Sequence, residues 1–230
     1  MYTLSDSIKS ILFVLTSHKD IGPGYEDSGF YLPELTHPLH VLEKANLTIE
    51  FASIKGGIPP VYGVDLADPI NAHYWNDQSF QEKLKGCAKL SDVDSNNYSA
   101  VMYVGGHGTM WDFPNSPAVL AITRKMYEQG QIIAAVCHGP SALVNVTLSD
   151  GSYLVAGKKV AAFTDSEESA VSMVDAVPFL LESALKERGA LVQSADDWAS
   201  NVVVDGSLIT GQNPQSAAGV GEAIRDALIS

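Results

Sequence analysis

Two adjacent residues, Cys137 and His138, have the clearest capacity for chemistry, because a thiol and an imidazole together can act as nucleophile and base. They follow an apolar run of five residues, 132–136, that predicts a buried parallel strand. Gly139 and the proline after it predict the start of a helix. A tight turn between strand and helix lifts its central side chain above the sheet when the positions two before and two after are small. Ala135 and Gly139 meet that requirement.

The environment of such a turn predicts a reactive cysteine. Backbone N–H groups at the start of a helix point toward the sulfur, and the positive end of the helix favours the thiolate. We therefore expect Cys137 to be an acidic, nucleophilic thiol. The alternative is a small hydrophobe buried at a strand end, since free cysteine is among the most buried residue types. Cys87 is the only other cysteine. A single pair is not the disulfide framework of a secreted protein, so both are predicted to be free thiols.

A glycine-rich segment, 105–108, follows the apolar run 100–104 and contains His107. Glycines leave backbone N–H groups unobstructed, so the segment can hold an oxyanion or another anion. It matches neither G-x-G-x-x-G nor a P-loop. His107 lies either at the mouth of a site or against a nearby loop. No metal site is predicted at His37 and His40, because a proline lies between them and no carboxylate is spaced as in a known zinc motif.

The elements that must position these residues begin with a strand at 10–16, a helix at 32–45 and a second strand at 48–53. The loop 17–30 is longer than the roughly 2–6 residues typical of such connections. It leaves the carboxyl end of its strand, where open α/β sheets place their sites. We therefore expect this loop to be functional.

Residues 54–98 interrupt the alternation of strand and helix, with one helix predicted at about 79–90. We interpret this segment as an insertion that lies over the sheet edge or the site, either as a cap or as a dimer surface. Beyond it, the pattern predicts strands at 100–104, 132–136 and 159–163, helices at 117–129 and 177–188, a hairpin of strands 201–204 and 207–211, and a final helix ending at 228. The alternation predicts a single α/β domain over residues 1–230, with a doubly wound, mostly parallel sheet and helices on both faces.

Charge and hydropathy exclude several classes of function. The 230 residues include 27 acidic and 14 basic side chains, a formal net charge of −13. Such a surface repels phosphate backbones and anionic membranes, so neither nucleic acid nor membrane is an expected partner. The apolar runs are shorter than a transmembrane helix, and residues 1–10 lack the features of a signal peptide. The sequence therefore predicts a cytoplasmic protein.

Several motifs together resemble the ThiJ/PfpI superfamily, and within it the heat-shock-chaperone-like branch of glutathione-independent glyoxalases, also called glyoxalase III. The motifs are Ala-Ala-Val-Cys-His-Gly-Pro at 134–140, Gly-His-Gly-Thr at 106–109 with Asp-Phe-Pro at 112–114, and Thr-Gly-Gln-Asn-Pro at 210–214. The runs 15–17 and 163–165 fit that branch too. The resemblance implies a flavodoxin-like, class I glutamine-amidotransferase-like fold with a nucleophile elbow, the tight turn that carries the nucleophile.

The resemblance also implies roles for individual residues. The nucleophile position falls on Cys137, the adjacent histidine on His138, and the acidic residue that contacts the cysteine on Glu34. If buried, Glu34 is protonated and donates a hydrogen bond to the sulfur. The alternative for Glu34 is a carboxylate in the first turn of a helix that only interacts with the helix dipole.

The remaining implied residues complete the site around the histidine. The carboxylate that orients His138 falls on Glu168, with Asp165 and Glu167 close enough in sequence to leave the match open. Oxyanion donors fall on the backbone N–H groups near Gly106, His107 and His138.

The implied activity is a lyase reaction that converts methylglyoxal or glyoxal to lactate or glycolate without glutathione, metal or cofactor, as part of detoxification under stress. The Cys137 thiolate would add to the aldehyde to form a hemithioacetal, His138 would move a proton between the two carbons, and hydrolysis of a thioester would release the acid.

Four alternatives remain open: deglycation of aldehyde adducts, a holding chaperone, acyl transfer as in peptidases or amidotransferases, and redox sensing through Cys137. The family often forms dimers, so a homodimer is expected.

Overall fold

The computed structural model describes residues 10–229. The prediction that residues 1–10 lack a signal peptide therefore lies, apart from Ser10, outside the described residues. Among the helices of the described range, none combines the length and apolar character needed to cross a bilayer.

Eleven strands and eight α-helices form the described part of the chain. The strands are β1 (Ser10–Leu15), β2 (Phe30–Tyr31), β3 (Thr48–Ser53), β4 (Val61–Tyr62), β5 (Ala88–Lys89), β6 (Ala100–Tyr103), β7 (Ile132–Val136), β8 (Lys159–Val160), β9 (Leu191–Val192), β10 (Val202–Asp205) and β11 (Leu208–Gly211). The helices are α1 (Leu32–Lys44), α2 (Pro69–Trp75), α3 (Gln78–Lys85), α4 (Thr109–Asp112), α5 (Pro117–Glu128), α6 (Asp165–Ala170), α7 (Leu181–Glu187) and α8 (Ala217–Ile229).

A seven-stranded sheet in the order β10-β11-β7-β6-β1-β3-β5 organises the fold. All neighbouring strands are parallel except β10 and β11, which form the predicted antiparallel hairpin. Alternate residues of β1 face opposite sides, so that Phe13 packs in the core under α1 and α8 while Leu12 and Val14 pack in the core under α5 and α7. The predicted doubly wound, mostly parallel sheet with helices on both faces is confirmed.

Two predicted elements after the elbow differ in extent from the structure, and one helix there was not predicted. The strand predicted at 159–163 is shorter and pairs β8 with β9 in a separate small sheet. The helix predicted at 177–188 begins only at Leu181, because the backbone of Leu180 is still extended. Helix α6 was not predicted, although Thr164 and Glu167 form a capping box, which is a sequence signature of a helix start.

Segment 54–98 contains two α-helices, so the prediction of a single helix was wrong. Asp68 and Asp77 cap α2 and α3 by accepting hydrogen bonds from backbone N–H groups of the first turn. The segment contributes β5 to one edge of the main sheet, and its strand β4 pairs with β2, which follows the long loop 17–30. Its roles as an inserted unit, a cap or a dimer surface stay predictions.

Glu167 is a buried carboxylate that ties α6 to the segments before β10 and after β11. One oxygen accepts hydrogen bonds from the backbone N–H of Trp198 at 2.9 Å and from the side chains of Asn213 at 2.8 Å and Gln212 at 3.2 Å. The other accepts from the backbone and the hydroxyl of Thr164, both at 3.1 Å. All these donors are uncharged, so the geometry of the network depends on this one carboxylate.

We predict that Glu167→Ala lowers the free energy of unfolding by about 3 kcal/mol or more, because several buried donors lose their acceptor at once. Denaturant unfolding followed by circular dichroism measures the change. Glu187→Ala, at the exposed end of α7, is the matched control and should cost less than about 0.5 kcal/mol. Equal losses in the two variants would contradict the structural role of Glu167.

Candidate active site

Cys137 lies at the predicted elbow between β7 and a five-residue 3-10 helix, Gly139–Leu143. Its φ of 58° is in the left-handed region, which non-glycine residues rarely adopt. A Cβ on Gly139 would lie 2.2 Å from the carbonyl oxygen of Tyr103, and Ala135 is fully buried. The strained turn and its need for small neighbours are therefore confirmed.

Glu34, in the first turn of α1, meets Cys137 at a glycine. The side chain of Glu34 is fully buried. A Cβ on Gly105 would lie 2.1 Å from Glu34 Oε2 and 3.1 Å from the Cβ of Cys137. Only glycine at this position therefore lets the carboxyl and the thiol approach each other. The structure brings together the two residues that the resemblance paired.

Burial raises the pKa of the Glu34 carboxyl to about 8, although the nearby Cys137 thiol and the Gly105 backbone N–H act in the opposite direction. Within residues 10–229, neither carboxyl oxygen of Glu34 makes a hydrogen bond of normal geometry to a protein atom. The carboxyl is therefore protonated at neutral pH, as expected for a buried Glu34. A protonated carboxyl can donate a hydrogen bond that a carboxylate cannot.

The prediction that Cys137 is an acidic thiol was wrong for the site without substrate. Burial, followed by the negative charge that Glu34 carries when ionised, raises the pKa of the Cys137 thiol, and the backbone N–H of His138 compensates only in part. The short 3-10 helix after the turn offers less of a dipole than the α-helix on which the prediction relied. Cys137 therefore rests as a thiol and needs a base to become a nucleophile.

His138 is placed to be that base. Its Nδ1 lies 3.4 Å from the sulfur of Cys137, and its Nε2 lies 2.7 Å from Oε2 of Glu168. The pKa of Glu168 is lowered to about 2 by its hydrogen bonds to His107 and His138, which outweigh the effect of its burial. An ionised carboxylate only accepts, so Nε2 of His138 carries the hydrogen and Nδ1 presents a lone pair to the thiol.

Both histidines of the site share Glu168. Nε2 of His107 lies 2.8 Å from Oε1 of Glu168, and the two imidazole rings are 4.1 Å apart. Burial, and then the proximity of His107, lowers the pKa of His138 to about 4 despite the attraction of Glu168. His138 is therefore neutral at pH 7 and free to accept a proton.

A tyrosine from β4 extends this hydrogen-bonded chain. The hydroxyl of Tyr62 lies 3.3 Å from Nδ1 of His107, and its oxygen lies 3.4 Å from the backbone nitrogen of the same residue. The chain Tyr62–His107–Glu168–His138–Cys137 is continuous. Sequence reasoning missed Tyr62, because it belongs to the irregular segment 54–98, where neither spacing nor motif identifies a functional residue.

The structure separates the acidic residues after β8. Glu168 contacts both histidines, Glu167 belongs to the structural network described above, and Asp165 accepts a hydrogen bond from the Ser183 hydroxyl at 2.5 Å. Of these three, Glu168 is the carboxylate that is hydrogen-bonded to His138. The capping-box pattern of Thr164 and Glu167 was a sequence signal that sets Glu167 apart, whereas the local turn of α6 decides which of the other two carboxylates faces the histidines.

A metal ion would find suitable ligands here as well. The ligand atoms of His107, His138 and Glu168 lie within 4.8 Å of one another. In the described structure these atoms already form hydrogen bonds to each other, which the proton chain explains. His37, considered above for a metal site, instead lies 2.9 Å from the carboxylate of Asp68.

The site opens into a cavity of about 470 Å³ that reaches Glu34, His107 and His138. Residues of the long loop 17–30 line it, as expected from the length of that loop. Besides Tyr62, sequence reasoning missed two further aromatic residues of the lining, Tyr31 and Trp198, and assigned no role in the cavity to Phe163. Gly29 was a usable sequence signal for a close backbone contact at this end of the loop. A Cβ there would overlap the backbone of Pro60 and disrupt the approach of β4.

Known proteins resemble this chain in both sequence and structure. The sequence profile of the DJ-1/PfpI family matches residues 26–226. Glyoxalase 3 of Candida albicans is 31% identical over 234 residues, which cover 93% of this chain and 96% of that protein. The crystal structure of glyoxalase III from Candida albicans is similar with a TM-score of 0.87 and 28% identity over 96% of this chain and 98% of the other.

A second solved structure, that of Rapid Encystment Protein 24 KDa from Francisella tularensis, is similar with a TM-score of 0.93 and 39% identity. The match covers 96% of this chain and 100% of the Francisella tularensis chain.

The coupling between Glu34 and Cys137 predicts an unusual pH profile for alkylation of the thiol. Above the Glu34 pKa of about 8, the carboxylate opposes formation of the thiolate, so the iodoacetamide rate at Cys137 should level off. In Glu34→Gln no charge appears, so the rate should keep rising and exceed the native rate at least about tenfold near pH 10.

Mass spectrometry of the Cys137 peptide measures both rates. Cys87 is an internal reference, because burial raises its pKa to about 12. Parallel profiles for the native chain and Glu34→Gln would contradict the coupling.

Proposed function

The chain belongs to the DJ-1/PfpI family, and from that premise we propose that it is a glutathione-independent glyoxalase that converts small 2-oxoaldehydes to 2-hydroxy acids. The observation that supports this activity best is the meeting of a buried, protonated Glu34 with Cys137 at one side and a neutral His138 at the other. This arrangement supplies a nucleophile, a base and an acid at one carbonyl-sized position. The named glyoxalase relatives, matched over nearly their full length, support the same conclusion.

The first step adds Cys137 to the aldehyde carbon. His138 Nδ1 removes the S–H proton as the sulfur attacks, so no thiolate has to exist beforehand. The imidazolium that forms is stabilised by the Glu168 carboxylate on its other nitrogen. The imidazolium then returns this proton to the former aldehyde oxygen, so the product is a neutral hemithioacetal and His138 is again a free base for the next step.

The second step moves hydrogen between the two carbons of the substrate. A base removes the C–H proton next to sulfur while an acid protonates the ketone oxygen, which gives an enediol. Reprotonation at the former ketone carbon and loss of the other hydroxyl proton yield a thioester. One carbon is oxidised and its neighbour is reduced by the same two electrons, so no outside redox partner is needed. We assign the base to His138 and the acid to Glu34, which carries its proton at neutral pH.

The last step is hydrolysis of the thioester. Water attacks the acyl carbon, the carbon–sulfur bond breaks, and the sulfur regains its proton as lactate or glycolate leaves. The overall reaction adds water to the substrate and belongs to the lyases that form 2-hydroxy acids.

We place the oxyanion donors on the backbone N–H groups of Gly106 and His107, with that of His138 at the sulfur. Gly106 has a φ of 113°, and a Cβ there would lie 2.4 Å from the carbonyl oxygen of Gly29. This close approach holds the glycine-rich segment against β2. The N–H of His107 points at the Tyr62 oxygen at 3.4 Å, a long contact that a substrate oxygen can replace.

The direct test follows methylglyoxal by NMR in the absence of glutathione. The native chain should form lactate. Cys137→Ala should abolish the reaction, and Glu34→Gln should slow it about 100-fold or more, because the amide has no acidic proton to transfer. Cys87→Ala, which changes a buried thiol outside the site, is the matched control and should retain activity. Absence of lactate from the folded native chain would refute the proposed activity.

Glu168 and Asp165 can be separated by matched amide substitutions. Glu168→Gln should lower kcat for methylglyoxal by about 10- to 100-fold, because an amide presents N–H to one of the two histidines and stabilises the imidazolium poorly. Asp165→Asn should change kcat less than about threefold, since its carboxylate bonds Ser183 on α7 rather than a histidine. Similar losses in the two variants would argue against Glu168 as the orienting carboxylate.

A further inference from the structure

The cavity is much larger than methylglyoxal requires. Its volume of about 470 Å³ lies within the range of roughly 300–1,000 Å³ typical of pockets for drug-sized ligands. Methylglyoxal carries only a methyl group beyond its carbonyl carbons. On the basis of the proposed function, we propose that the cavity contains a subsite for an aromatic substituent, so that aryl 2-oxoaldehydes are its preferred substrate class.

An aromatic wall leads from the reacting groups to the mouth of the cavity. The ring of Phe163 lies 4.3 Å from the imidazole of His138. The indole of Trp198 packs edge-on against Phe163 with the ring centroids 5.8 Å apart. A substituent on the carbon next to the Cys137 adduct therefore meets aromatic surface. Such surface favours stacked or edge-to-face contact with an aryl ring.

Trp198 is held in place at a conformational cost. Its φ of 64° is in the left-handed region, where a bulky residue is strained. The backbone N–H of Trp198 donates to the buried Glu167 at 2.9 Å, and the neighbouring Asp197 accepts from the Ser166 hydroxyl at 2.6 Å. The residue nevertheless stays 38% exposed. A large apolar side chain that is strained, anchored through its backbone and half open to solvent is explained by ligand contact rather than by core packing.

The segment after α6 also combines a strained backbone with apolar side chains at the cavity. Ser172, with a φ of 59°, lies between Val171 and Met173, which both line the cavity. Val171 is 39% exposed. Strained backbone thus presents apolar side chains to the cavity from two separate segments, which favours an apolar substituent over a polar one.

The charge of the residues that line the cavity indicates which aryl substituents fit the subsite. Glu26 and Asp27 line the cavity, and among residues 10–229 only Asp27 has a cationic partner, Lys19 at 2.7 Å. The chain as a whole carries a formal charge of −13. A negatively charged substituent is therefore disfavoured, so the subsite fits a neutral aryl group.

The kinetic test compares phenylglyoxal with methylglyoxal, measured as mandelate and lactate by NMR. Trp198→Gly should lower the ratio of kcat/KM for phenylglyoxal to that for methylglyoxal at least about tenfold, since an apolar pocket discriminates by this order. Glycine adopts the φ of Trp198 without strain, so this variant should fold. Trp198→Phe should keep an intermediate ratio, and Leu191→Ala, an exposed apolar residue outside the cavity lining, should leave the ratio unchanged.

A binding test does not depend on turnover. Saturation-transfer NMR should detect acetophenone, which has the aryl ketone without the aldehyde, on the native chain and much less on Trp198→Gly. Acetone is the matched small ketone and should show no such difference. Phenylglyoxal carrying a 4-carboxylate should be turned over more slowly than phenylglyoxal itself.

The outcomes separate the two proposals. Lactate formation with an unchanged kinetic ratio and equal acetophenone signals would overturn the aryl subsite and leave the glyoxalase standing. Absence of both lactate and mandelate would refute the glyoxalase, and equal acetophenone signals would then refute the subsite too. Binding of acetophenone that requires Trp198 supports the subsite in either case.

Discussion

Burial of the Glu34 carboxyl against the Cys137 thiol is the constraint on which the rest of the site depends. Burial disfavours the charged form of both groups, and ionisation of one opposes ionisation of the other, so the pair holds its protons at neutral pH. The close approach of the carboxyl to the thiol requires glycine at position 105 and a left-handed backbone conformation at Cys137. A resting thiol in turn requires a base within reach. His138 fulfils that need only because burial keeps it neutral.

Two consecutive glutamates in α6 divide the remaining work. Glu168 faces the histidines and carries the negative charge that a protonated His138 needs beside it. Glu167 faces the other way and, within the described part of the chain, accepts hydrogen bonds only from uncharged donors, among them the backbone N–H of Trp198. The same short helix therefore connects the proton chain of the site with the wall of the cavity. Because its capping box fixes the first turn, both carboxylates have defined directions.

Local sequence patterns predict the sheet and the elbow, whereas they do not predict burial or contacts between distant segments. Strand β7 and the small residues around Cys137 are visible in a short window of sequence, so the strained turn could be expected. The direction of the Cys137 pKa could not, because the desolvation and the Glu34 charge that raise it come from tertiary packing. Tyr62 and Trp198 reach the site from segments distant in sequence, and the facing of Glu168 depends on the local turn of α6.

The balance of charge in the site is consistent with an uncharged electrophile as substrate. At neutral pH, Glu34, Cys137 and His138 are all neutral, so Glu168 supplies the negative charge at this cluster. Charge separation arises only when the S–H proton moves to His138, between groups 3.4 Å apart and next to an existing carboxylate. A thiolate held permanently in the site would be stabilised in its ground state and open to oxidation. In the proposed mechanism, the thiolate forms only when an aldehyde is present, which ties the reactivity of Cys137 to occupation of the cavity.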